Sequence, residues 1–262
     1  MNRTMINAVN ALSQLQKRMD VTSNNVANMN TTGYKRSDAA FRDLVHQQTN
    51  NLNRQTEDIG RLTPLGIRLG VGAMMAQAQM VGTQGALQQT GRALDFALSQ
   101  PNQFFKVLVQ NEDGTGRVHY TRDGSFSITP AGGENVMLVT SEGYPVLDEA
   151  NNPIVMTPEE MAEQAGGLIG LIQVDKPQFL ERTGDNLFVL PEDPAVAEGQ
   201  VLRDLNAAER EASGIQAGFL EMSNVDFSKE MSDLMMTQRS YQFQSKAISI
   251  ADQMLGLING VR

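Results

Sequence analysis

Two histidines, His46 and His119, are the first places to look for chemistry in this 262-residue chain. A metal centre would need them near carboxylates at ligand spacing, and no HExxH pair occurs. His119 falls in a strand-like run, where a half-exposed ring is expected. Glu159 and Glu160 are adjacent carboxylates that could do acid–base work. They follow Thr157-Pro158, however, and acids in the first turn of a short helix are favoured by the helix dipole. The stretch Gly66-Ile-Arg-Leu-Gly-Val-Gly72 lacks the third glycine of a dinucleotide loop and the acidic residue about 20 positions on. Asn111–Gly116 resembles a calcium loop in composition but not in ligand spacing. There is no GxSxG elbow and no Walker-A loop. Cysteine is absent, which excludes disulfides, thiolate zinc sites and a Cys nucleophile. The expectation is a protein that is no enzyme and holds no cofactor or metal.

The elements that would position any site are two helical ends around a different middle. Met5, Leu12, Met19 and Val26 recur every seven residues, with Val9 and Leu15 nearby and Thr4 as a candidate N-cap. Leu234, Tyr241, Ile248 and Leu255 repeat the spacing near the other end, widened by Met231, Met235, Ala251, Met254 and Ile258. Asp226 is the expected cap there, and no Gly or Pro interrupts Phe227–Leu255. Such narrow stripes suit a coiled-coil seam better than a broad globular face.

Between the ends, short β-rich runs alternate with turn signals. Strands are expected at Phe104–Gln110, Arg117–Thr121, Ser125–Thr129, Met137–Thr140, Ile154–Met156, Leu168–Val174 and Leu187–Leu190. Asp123-Gly124 reads as a hairpin turn, and Pro158–Gln164 as a short helix. Residues 31–70 are polar and weakly periodic, an extended arm in which Phe41–Val45 suggests a helical turn. The fold class is therefore α+β: long N- and C-terminal helices pairing as a coiled coil, an extended polar arm and an all-β middle. The divisions are 1–30, 31–70, 71–220 and 221–262.

Charge follows the same divisions. The chain carries −9 overall, but residues 61–222 hold ten basic and twenty-one acidic residues, while the ends are close to neutral. Near-neutral ends can pack on copies of themselves, and the acidic middle repels its like. No basic face invites nucleic acid. No window approaches the roughly 18–20 apolar residues of a membrane span, so no membrane insertion is expected. Met1–Thr22 has no apolar core or cleavage site of a secretory signal. Fifteen methionines suit surfaces that repack on assembly, and equally suit gaps in a core.

Val21-Thr-Ser-Asn-Asn-Val-Ala-Asn-Met-Asn-Thr-Thr-Gly-Tyr-Lys-Arg36 resembles the amino-terminal signature of the flagellar basal-body rod and hook family. Its motif residues are Asn24, Asn25, Asn28, Thr32, Gly33, Tyr34 and Lys35. Ser223-Asn-Val-Asp-Phe227 and Gln238-Arg-Ser-Tyr241 are similar to that family's carboxyl-terminal signature. Gln84–Gly91, Leu94–Leu98, Tyr120–Phe126, Gly143-Tyr-Pro145 and Gly184–Leu187 also match its pattern. The length and the Leu69–Gly72 run most resemble the distal-rod branch and its paralogues. Ser99–Phe105 departs from that pattern, with Pro101 standing where glycines are usual. The resemblance implies a coiled-coil domain made from both ends, lining a hollow helical tube, with the β-rich part outward. It implies as partners further copies of the chain, neighbouring rod and hook proteins, and the flagellar type III export apparatus, with export to the basal body without signal cleavage. Proximal-rod or hook subunits and a secreted rod-like binding module are the alternatives. The assembly seam would comprise Met5, Val9, Leu12, Met19, Val26, Met231, Leu234, Tyr241, Ile248 and Leu255.

Overall fold

A computed structural model describes residues 2–43, 47–49, 67–69, 73–110, 116–184, 186–191, 198–205 and 214–260. His46, Gly66, Gly70, Gly72 and most of the Asn111–Gly116 turn lie outside the described residues.

Among the described residues there are four α-helices, α1 (Asn2–Ala27), α2 (Pro158–Leu168), α3 (Glu198–Val201) and α4 (Phe227–Gly260), of which the short α3 carries no signal in the sequence reading above. Helix α1 already runs from Asn2, so Thr4 sits inside its first turn rather than capping it. The backbone ladder continues a residue or two beyond what the side-chain signal marks. Helix α2 has a capping box in which Glu160 and Thr157 bond reciprocally, so Glu160 closes a helix end. Helix α4 starts immediately after Asp226 and runs 34 residues, through Gly256.

The strands are short and punctuated by turns. They are β1 (Ser37–Asp43), β2 (Gln47–Thr49), β3 (Ile67–Leu69), β4 (Ala73–Met80), β5 (Leu87–Gln89), β6 (Phe96–Ala97), β7 (Gln103–Gln110), β8 (Gly116–Thr121) and β9 (Ser127–Gly132). There follow β10 (Asn135–Val139), β11 (Val155–Met156), β12 (Leu171–Val174), β13 (Glu181–Gly184), β14 (Leu187–Val189), β15 (Leu202–Asp204), β16 (Gln216–Ala217) and β17 (Phe219–Glu221). The largest sheet has the order β13-β14-β8-β7-β12-β15, and β11-β10-β9 form a second. Small two-stranded ladders join β1 to β4, β2 to β3, β16 to β6 and β17 to β5. The architecture is α+β: an N-terminal helix, a mostly β middle and a C-terminal helix.

The chain divides into two compact units. One holds Met1–Asn24, Asp38–Gln79 and Ser228–Arg262; the other holds Asn25–Ser37 and Met80–Phe227. The core of the second unit follows from the period of two along β7. Phe105 and Val107 point to one face, where Phe126, Leu138, Val146, Ile154, Met161 and Ile169 pack. Phe104 points to the other, with Tyr120, Ile172, Val174 and Phe188. Edge-on ring pairs, Phe105–Phe126 at 5.2 Å and Phe104–Phe188 at 5.5 Å, fix both layers.

Three further expectations are corrected. Phe41–Asp43 is strand, the end of β1, not helix; so short an apolar run carries no period that separates the two, and pairing with β4 decides. Asp123-Gly124 is not a hairpin turn, because β8 pairs with β7 and β14 whereas β9 pairs with β10. Gly124 instead lies against the Phe96 carbonyl, where a Cβ would stand 1.7 Å from the oxygen, and its own carbonyl accepts from Phe96 N at 3.0 Å. His119 is buried rather than half-exposed, since β8 is an inner strand of the six-stranded sheet; its Nδ1 lies 3.2 Å from Arg117 O.

Candidate assembly site

Within the second unit, termed the β-containing unit for its six-stranded sheet, the signature segments converge on one buried carboxylate. The carboxylate of Glu221, the last residue of β17, accepts from Lys35 Nζ at 2.6 Å and Gly85 N at 2.8 Å on Oε1, and from Arg122 Nε at 2.6 Å on Oε2. Lys35 Nζ also donates to Thr83 O at 2.8 Å, and Arg122 donates to Gln103 O at 2.5 Å. All three charged side chains are buried. Burial alone would raise the Glu221 carboxyl, but Arg122 and Lys35 beside it hold it below the usual carboxylate range. Burial, then the nearby Arg122 charge, pushes the Lys35 ammonium down despite Glu221, and burial likewise lowers Arg122.

A second layer of polar contacts fastens the signature around this cluster. Gly33 donates its N–H to Glu221 O at 2.7 Å with φ +65°, and a Cβ there would stand 2.5 Å from the Arg122 backbone. Only glycine combines that conformation with that approach. Asn25, in the last turn of α1, donates to Ser37 O and accepts from Ser37 N and Tyr34 Oη. Arg182 stacks 4.5 Å over the Tyr34 ring and donates to Lys35 O. Asp123 Oδ1 accepts from Thr32 Oγ1, Ser125 N and Ser125 Oγ, and burial pushes its carboxyl up against those bonds. Asn186 donates to Thr32 O at 2.9 Å.

The Ser99–Phe105 departure closes into the same cluster. Pro101 is followed by Asn102 at φ +65°, the order a type II turn requires, so asparagine serves where a glycine would. The turn delivers Gln103 O to Arg122 and Leu98 O to Gln84 Nε2.

In the other unit, the two long helices carry heptad rows. On α1, Met5, Ala8, Leu12, Leu15, Met19 and Thr22 are buried or half-buried, as is Val26 at the end of the helix, in the β-containing unit. Val9 departs from the expected seam, being 53% exposed. It lies about 100° round the helix from the centre of that stripe at 3.6 residues per turn. On α4, Met231, Leu234, Tyr241 and Ile248 are half-buried, as is Ala251, while Met235 and Met254 are exposed. A polar row alongside, Glu230, Thr237 and Gln244, is covered too. Thr237 donates to Asp233 O at 2.7 Å and Thr22 to Arg18 O at 3.0 Å, which satisfies their hydroxyls inside the helix. The side chain of Leu255 lies outside the described ones.

Sequence reasoning misses a second row on α4. Met236, Phe243, Ile250 and Leu257 are also seven apart, and their exposures are 64, 73, 58 and 71%. They sit about 200° from the Leu234 row, on the opposite face. Sequence reasoning also misses Glu221, which stands just before the carboxyl-terminal signature. The signal for it is indirect: Lys35 and Arg122 stand beside the aromatics Tyr34 and Tyr120, where burial of the ring carries the cation inward with it. Of the motif residues, Asn25, Thr32, Gly33, Tyr34 and Lys35 are brought into one network. Asn28 accepts from Thr31 Oγ1, and Asn24 is exposed.

Long helical ends with apolar rows, rooted in a β unit by a buried charge cluster, define an assembly-type structural protein. The comparisons with known proteins agree. Residues 5–35 match the family model "Flagella basal body rod protein", 100–175 match "Flagellar hook protein FlgE/F/G D1 domain", and 216–261 match "Flagellar basal body rod FlgEFG protein C-terminal". The flagellar hook-basal body complex protein FlhP of Bacillus subtilis is 42% identical, covering 100% of both chains. The flagellar basal-body rod protein FlgG of Borreliella burgdorferi is 32% identical over 100% of this chain and 99% of its own. The FlgG of Bacillus subtilis is 28% identical over 97% of each. The chain belongs to the flagellar basal-body rod and hook family, and it is a structural protein, not an enzyme.

Proposed function

We propose that this chain is an axial subunit of the flagellar basal body, of the distal-rod branch or a close paralogue. Its terminal helices pair as a coiled coil and polymerise into a hollow helical axis that transmits torque to hook and filament. The observation that carries this reading is the double-faced α4. A helix with one covered row and a second apolar row exposed on the opposite face needs two partners, and one subunit supplies at most one of them. Four large apolar side chains left in water along one line mark an interaction surface. Heterologous contacts of that kind repeat without closing and build an open helical filament.

Met5, Leu12, Met19, Val26, Met231, Leu234, Tyr241, Ile248 and Leu255 form the inner seam in this reading, with Val9 at its margin. Of the segment 31–70, Thr32–Lys35 is held within this chain's own network and β1 pairs with β4, so the arm that packs on neighbouring subunits in this reading is the polar stretch beyond β1. The partners are other copies of the chain, adjacent rod and hook proteins, and the flagellar type III export apparatus, which delivers the subunit without signal cleavage. Full-length identity to one protein named for the hook–basal body complex and to others named basal-body rod protein supports a rod subunit or a paralogue of one, with a proximal-rod or hook subunit and a secreted rod-like binding module as the alternatives.

Quantitative mass spectrometry of detergent-purified hook–basal bodies tests the reading. Stoichiometric recovery with an intact amino-terminal region is expected. Absence from the particle, with the protein present in the medium, would overturn it in favour of a secreted module.

A further inference from the structure

The cluster around Glu221 does more than fill the interior. It contains two buried cations and one anion, drawn from three remote parts of the chain; Lys35 and Glu221 are 186 residues apart. The contacts around it run in a continuous line between the two helix roots. Asn25 in the last turn of α1 is bonded to Tyr34 and Ser37. Gly33 and Lys35 are bonded to Glu221, through its backbone oxygen and its carboxylate. Arg36 N donates to Asn224 Oδ1 at 2.7 Å, and Asn224 Nδ2 donates to Val81 O and Thr83 O at 2.9 Å each. Phe227, three residues further on, opens α4. Every residue in this line belongs to the β-containing unit.

We infer that Glu221 is the latch of a root clamp: its docking between Lys35 and Arg122 fixes the point where α1 ends beside the point where α4 begins, in the free subunit and before any assembly. The charge count makes Glu221 the critical member. Without it, two buried cations face each other with no counter-charge, and the segments carrying them separate into water. Without Lys35, Arg122 and Glu221 remain a balanced, hydrogen-bonded pair. The clamp is thus asymmetric, with the carboxylate indispensable and the lysine dispensable. Because both roots are held, pairing of the helical ends becomes an event within one chain at high effective concentration. The clamp is a property of the free chain, so its test is separate from whether the chain enters the flagellar axis.

The chain has no cysteine, so a spin-label pair at Ala27→Cys and Phe227→Cys, both exposed, reports the two roots alone. Pulsed electron–electron resonance on the full-length monomer is expected to give one narrow distance. Glu221→Gln should replace it with a broad distribution, and Lys35→Met should leave it narrow. Asn224→Ala, which leaves the ion cluster untouched, should broaden it in part and keeps the test decisive if Glu221→Gln fails to fold. A distribution as narrow in folded Glu221→Gln or in Asn224→Ala as in the parent overturns the clamp. So does equal broadening by Lys35→Met.

Discussion

The two units invert the usual placement of side chains in opposite ways. The β-containing unit hides charge, with Lys35, Arg122 and Glu221 buried at its centre. The helical unit displays apolar surface, with Met236, Phe243, Ile250 and Leu257 in water. A buried ion cluster fully met by partners is complete in itself, because every hydrogen bond it needs is supplied by its own chain. An exposed heptad row is incomplete by construction, since its stabilisation is gained only when another surface covers it. The contrast separates a part that is finished on folding from a part that is finished on assembly, and substitutions on either side should respond accordingly.

The largest expected effect is on assembly. Leu234→Asp or Ile248→Asp would bury an unpaired carboxylate in the covered stripe of α4, at a cost of several kcal/mol. Polymerisation should be abolished, while the thermal transition of the β-containing unit should persist, as followed by calorimetry on the monomer. Loss of that transition would erase the distinction between the two units.

Next in size is Gly33→Ala. The left-handed conformation and a Cβ at 2.5 Å from the Arg122 backbone should cost the β-containing unit about 2–5 kcal/mol. A lowered denaturation midpoint of that unit, with helix content unchanged, is the expected result. An unchanged midpoint would show that the signature is not fastened to the Arg122 strand as the structure has it.

Phe243→Ser probes the displayed row by itself. At 73% exposure its removal should alter monomer stability by less than about 0.5 kcal/mol. The same change should weaken polymerisation by about 1.5–3 kcal/mol, the worth of one large apolar side chain newly covered. Sedimentation across a concentration series separates the two numbers. A destabilised monomer with unaltered polymerisation would move Phe243 from the second face to the first.

The same contrast explains what could be read in the sequence. Rows seven apart announce α1 and α4 because a helix writes its faces into local spacing. Those rows even include the exposed one, which a count beginning at Leu234 passes over because one apolar stripe already satisfies the pattern. Val9 shows the limit of such counting: it is apolar and close in sequence to the seam, yet it lies round the corner of the cylinder. The charge clamp is different. Lys35, Arg122 and Glu221 share no spacing, and a carboxylate that meets its cations across most of the chain leaves no periodic trace. The family resemblance located the pieces without their partner. Asp123-Gly124 misled for the same reason: its role is to pass close to Phe96 and to hold Thr32, both tertiary contacts that override a local turn signal.

The smallest effect expected is at Asp123, where burial raises the carboxyl above its ordinary value. A group whose folded pKa lies above its unfolded value, about 3.9 for aspartate, favours the fold when protonated and costs stability once pH rises through the folded pKa. Glu221 has the opposite sign: its folded pKa is depressed, so its contribution is present above about pH 4.3 and is lost as pH falls through the folded pKa. Asp123→Asn keeps an oxygen for Thr32 and Ser125 and removes the charge, so at neutral pH it should change stability by less than about 1 kcal/mol. Its signature lies in the pH profile. The parent should gain from Asp123 protonation on mild acidification before Glu221 begins to fail, whereas the variant should show only the loss. Denaturant midpoints measured from neutral pH down to about pH 3.5 distinguish the two profiles. A parent and variant with superimposed profiles would mean that the carboxylate of Asp123 is as well solvated as that of a surface residue.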